Sequence, residues 1–169
     1  MKRVRWTLLL VVLLGSLGAW LYFRWLERER NRPYSLVEDR LYVGELAEEP
    51  PPGTDAMVNL CGFKDPYEVD ALLWEPILEG GEAPDLKWLR RVVRFIDTHR
   101  QAGGTVYVHC LGGMNRSGAV VTAYLTYEHH WPLDRALEFL QSKRPVIQPN
   151  RQLMRLLAEW EYALQDEAR

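Results

Sequence analysis

Val108-His109-Cys110-Leu111-Gly112-Gly113-Met114-Asn115-Arg116-Ser117-Gly118 runs from a β-branched stretch into a cysteine, then a glycine-containing loop, then a helix that opens on arginine and serine. A loop of this length, curled at a helix N-terminus, can turn successive backbone N–H groups inward and form a nest for an anion, helped by the helix dipole. The glycines at 112 and 113 permit the backbone angles and the close approach that such a cradle needs. Arg116 can return over the loop and hold two oxygens of an oxyanion at once, which a lysine could not do. The same positive field favours thiolate over thiol at Cys110, below the free value of about 8.5. Ser117 is placed to donate a hydrogen bond to that sulfur, and His109 to orient the loop through hydrogen bonds. The expected anion site is therefore Leu111, Gly112, Gly113, Met114, Asn115 and Arg116, with Cys110 as nucleophile.

Outward from this loop the elements follow from periodicity. Gly104-Thr105-Val106-Tyr107-Val108 and Ala56-Met57-Val58-Asn59-Leu60 read as buried strands, and Arg40-Leu41-Tyr42-Val43-Gly44 as a short one. Leu86, Leu89, Val93 and Ile96 recur at helical spacing between Pro84-Asp85 and Gly103-Gly104. Three more helices are expected: about 117–129, one from Pro132 to before Pro145, and one after Pro149. Strands before and among helices predict an α/β fold, with a central, mostly parallel sheet flanked by helices on both faces.

The pattern H-C-x-x-G-x-x-R-S resembles the signature of the cysteine-dependent protein-tyrosine-phosphatase superfamily, particularly its dual-specificity branch. Ala123-Tyr124-Leu125, Ala136-Leu137, Arg144-Pro145 before Pro149-Asn150, and Arg40 to Gly44 look like that branch too, so the resemblance covers about residues 34–164. It implies a two-step reaction. The thiolate takes the phosphoryl group while a carboxylic acid protonates the leaving oxygen, and the carboxylate then activates water. Ser117 would assist departure of the thiolate. No cofactor and no metal are implied.

The family's acid is an aspartate about thirty residues before the cysteine, and the matching position here is Glu79. The extra methylene displaces the carboxyl by roughly an ångström, enough to cost on the order of a hundredfold if nothing compensates. Asp65 and Asp70 are rival acids, and Asp85 reads as a helix N-cap. Glu79 in place of aspartate keeps a second reading open, a phosphate-binding pseudophosphatase. Cys61, at the end of its strand, is similar to a cysteine that in some relatives traps the nucleophile as a disulfide. A buried small apolar residue is the alternative.

The 169 residues bound the rest. They make one domain of ordinary size, and 47% hydrophobic with 26% charged residues excludes a wholly disordered chain. Two cysteines exclude a disulfide scaffold. Residues 1–32 hold seven of the 21 Lys+Arg and two of the 23 Asp+Glu, a net of +5, which leaves 33–169 at −7. That negative charge argues against nucleic acid as partner. The family resemblance implies basic residues at 111–115 in relatives that act on polyphosphorylated inositol lipids, and their absence here disfavours that substrate class. A phosphorylated protein or a small phosphomonoester is the expected substrate, with an RNA 5′-phosphatase or a lipid-headgroup phosphatase as alternatives.

Trp6 to Phe23 is an uncharged stretch of 18 residues between basic flanks. It predicts an N-terminal transmembrane anchor over 1–26, spanning through residues 6–23, with a charged linker at 27–35 and the phosphatase domain at 36–169. A cleaved signal peptide is the alternative. The expected location is a single-pass membrane protein, its catalytic domain on the reducing, cytoplasmic side.

Overall fold

The computed structural model describes residues 16–25, 32–78, 81–82 and 84–167. The chain divides into two compact units, Met1–Arg32 and Pro33–Arg169. In the first, residues 16–25 are helical. No helix among the described residues is long and apolar enough to cross a membrane. That finding overturns the expected single-pass membrane location and leaves the expected transmembrane helix without support. Residues 6–15 of the expected anchor lie outside the described residues.

The second unit is built on a five-stranded sheet of order β1-β2-β5-β3-β4. Its strands are β1 (Tyr34–Glu38), β2 (Leu41–Glu45), β3 (Thr54–Asn59), β4 (Ala71–Trp74) and β5 (Thr105–Cys110). β2, β5, β3 and β4 run parallel, and β1 folds back antiparallel on β2. Tyr34 and Ser35, within the expected linker, thus belong to the sheet. The helices are α1 (Leu86–Gln101), α2 (Arg116–His129), α3 (Leu133–Lys143) and α4 (Arg151–Glu167). Asp85 caps α1 as expected, its carboxylate accepting from the Trp88 N–H at 2.8 Å.

Alternation along the central strand divides the sheet's two faces. Val106, Val108 and Cys110 join Ala56 and Val58 in the main core beneath the helices, while Tyr107 and His109 point the other way. α2 lies against β2 and β5 and is packed by α1, α3 and α4. It is accordingly buried from Arg116 through Thr126 and has no polar stripe.

The four helices of this unit form one layer, which corrects the expectation of helices on both faces. A right-handed crossover from β2 to β3 must pass over the face opposite the β4–β5 crossover that carries α1. Here that crossover is Leu46 to Gly53, eight residues including Pro50-Pro51-Pro52, too short and too proline-rich for a helix. The loop after β3 covers part of that face instead: Asp65 lies against Asn59 and His109 there.

Candidate active site

The C-terminal ends of β2, β5, β3 and β4 all point to one edge of the sheet, where an open parallel sheet places its ligands. Cys110 is the last residue of β5 and is 2% exposed. Burial raises its pKa. The Ser117 hydroxyl and N–H, the Arg116 charge and the Met114 N–H outweigh that effect and leave the thiol below its ordinary value. The Cys110 sulfur and Ser117 Oγ lie 3.4 Å apart, and the Ser117 hydroxyl is also 3.3 Å from the Gly44 carbonyl.

Arg116 opens α2 and is buried. Its Nη1 donates to the carbonyls of Ile77 at 2.8 Å and Leu60 at 3.3 Å, so one edge of the guanidinium is tied to two backbone segments. Its Nε has no protein partner among the described residues. That Nε is itself buried, a donor left for an oxyanion to satisfy.

The loop between them is shaped by its glycines unequally. Gly113 has φ 60°, and a Cβ there would lie 2.5 Å from the backbone of Gly44 and Glu45. Gly112 has open space around its Cα. Leu111 and Met114 are exposed at the mouth, whereas the Asn115 carboxamide turns away and accepts from the Asn150 N–H at 2.7 Å. The structure brings Cys110, Ser117, Arg116 and the loop together.

His109 faces away from the sulfur. It is fully buried and stacked on Tyr107 at 5.2 Å between ring centroids, with Nε2 3.1 Å from Asp65 Oδ1. Asp65 also accepts from Asn59 Nδ2 at 2.5 Å, and Asn59 Oδ1 accepts from the Cys61 N–H. This removes Asp65 as a rival acid, because its carboxylate is held inside the protein. Asp70 is exposed. Glu79 lies outside the described residues. Leading up to it, Glu75 is gripped by Arg91 and Trp88, and the Ile77 N–H donates to the Leu60 carbonyl at 3.3 Å.

Cys61 is buried and free. Burial, with the neighbouring Cys110, pushes its pKa up to about 11, so it stays a thiol beside the more acidic one.

Sequence reasoning passed over Asn59, Gly44 and Arg144. Arg144, 1% exposed, donates from Nε to the Gly113 carbonyl at 2.9 Å. A buried polar residue ending an apolar strand was the available signal for Asn59.

A fold that sets a cysteine at the end of a central parallel strand, with an arginine-headed helix after it, is that of the cysteine-dependent phosphatases. The crystal structure of human DUSP28 matches it with a TM-score of 0.71 at 30% identity, over 79% of this chain and 96% of that one. Residues 59–163 match the family model described as dual specificity phosphatase, catalytic domain, and the chain belongs to this family. Dual specificity protein phosphatase 1 of Arabidopsis thaliana is 32% identical over 146 residues, 82% of this chain and 73% of that protein. Human dual specificity protein phosphatase 1 is 32% identical over 114 residues, 64% of this chain but 30% of its own length. The chain therefore spans less than a third of that relative.

Proposed function

We propose that the chain hydrolyses phosphomonoesters, as a protein tyrosine or dual-specificity phosphatase, through a cysteinyl-phosphate formed on Cys110. The observation that carries this reading is a buried thiol 3.4 Å from the Ser117 hydroxyl, held below its ordinary pKa by that hydroxyl and by the charge of Arg116, whose buried Nε has no protein partner among the described residues. In the first step the thiolate attacks phosphorus while Arg116 and the N–H groups of 111–116 hold the phosphoryl oxygens. Glu79 protonates the leaving oxygen. In the second step Glu79 takes a proton from water as the water attacks the phosphocysteine, and Ser117 stabilises the departing thiolate. We assign the catalytic unit to residues 36–169, extended at its start by the rest of β1.

The test is hydrolysis in the presence of EDTA of an aryl phosphate and of a phosphotyrosyl peptide, by the parent chain, Cys110→Ser and Glu79→Gln. Cys110→Ser abolishes turnover of both. Glu79→Gln lowers kcat for the peptide, whose leaving group is poor, by roughly a hundredfold or more, and affects the activated aryl ester far less. Turnover that survives Cys110→Ser overturns the proposal.

A further inference from the structure

Backbone N–H groups can converge on an anion only if the carbonyls between them turn outward, and an outward carbonyl in a packed protein needs a donor of its own. Donors from two other segments hold the 111–116 loop in this way. The Leu46 N–H donates to the Leu111 carbonyl at 3.4 Å, Arg144 Nε to the Gly113 carbonyl at 2.9 Å, and the Gln148 N–H to the Met114 carbonyl at 3.0 Å. Arg144 is the charged donor of the three. It stands just after α3, buried, and reaches Ser35 Oγ on β1 at 3.5 Å with Nη1. It grips the loop at Gly113, where the backbone turns left-handed.

We propose that Arg144 is a positioning residue: by holding the Gly113 carbonyl outward it sets the inward aim of the loop's N–H groups, and its charge adds to the positive field behind the anion site. It acts from the side of the loop remote from Cys110 and does not touch the substrate. The proposal rests on reading 111–116 as the phosphate-binding loop. A charge-assisted hydrogen bond is about twice as strong as a neutral one, so its removal should be felt by the loop.

The experiment compares the full chain with Arg144→Met and Arg144→Lys in three measurements: thermal melting, affinity for inorganic phosphate by calorimetry, and the pH midpoint of Cys110 alkylation by iodoacetamide. Arg144→Met is expected to melt cooperatively, to bind phosphate about tenfold more weakly or worse, and to move the alkylation midpoint to higher pH. Arg144→Lys, which keeps charge and donor, recovers most of both. A merely structural role would lower the melting temperature and leave the alkylation midpoint where it was. Arg144→Met that folds and matches the parent in phosphate affinity and midpoint overturns the proposal while leaving the phosphatase reading intact. A parent chain that binds no phosphate overturns both. If Arg144→Met does not fold, Arg144→Gln, which keeps an N–H donor for Gly113 without the charge, decides by the same comparison. Failure of both to fold makes Arg144 structural only.

Discussion

At Cys110 burial and hydrogen bonding pull in opposite directions. Taking a thiolate out of water raises the pKa, and a hydroxyl, two backbone N–H groups and a guanidinium lower it by more. The sign fixes a pH prediction. The thiolate is the reactive form, so alkylation of Cys110 falls as pH drops through its folded pKa. Ser117→Ala deletes the side-chain hydrogen bond, the foremost of the lowering effects, so the midpoint should move to higher pH; an unchanged midpoint would assign the acidity to Arg116 and the backbone alone. Cys110, Arg116 and Ser117 were legible in the sequence because their chemistry is local, within eight residues of one strand-loop-helix passage. Asp65 was not. Its carboxylate is defined by Asn59 and His109, and nothing in the order of residues shows that it points inward.

Among the elements, the 111–116 loop is fitted to β2 by contact of backbone on backbone. Gly113 sits where a side chain would overlap Gly44 and would also have to adopt φ 60°, whereas Gly112 has open space. Gly113→Ala should therefore cost roughly 1–3 kcal/mol of stability in urea unfolding for the backbone strain alone, with the overlap adding to it. Gly112→Ala should stay within about 0.5 kcal/mol of the parent. Equal losses would mean that the loop is not seated on β2 as described. Helices α1, α3 and α4 were readable from their stripes, and their starts from Asp85, Pro132 and Pro149. Two strands were not. β1 follows an Arg/Glu-rich run, and Ser35 is one of its inward residues. β4 is four residues at the sheet's edge, Ala-Leu-Leu-Trp, apolar on both sides and so without a visible period of two. The single helix layer was hidden for a different reason: it depends on what the eight-residue β2–β3 crossover cannot form.

For the whole molecule, the parallel strands collect loops from distant parts of the chain at one edge of the sheet. Leu60 follows β3, Ile77 lies after β4 and Arg116 opens the helix after β5, and all three meet at one guanidinium. The net charge of −7 over residues 33–169 leaves the positive field at that edge to be made locally, by Arg116, the helix N-terminus and the loop amides. In the proposed reaction the group held there is a single phosphoryl group. The central claim is that this group is passed to Cys110. The most direct measurement is an acid quench of the chain during turnover of a labelled phosphotyrosyl peptide, followed by peptide mapping. The account predicts phosphate on the peptide containing Cys110, absent from Cys110→Ser. Turnover with no covalent phosphate at that residue, under conditions where hydrolysis of the intermediate is slowed by Glu79→Gln, would contradict it.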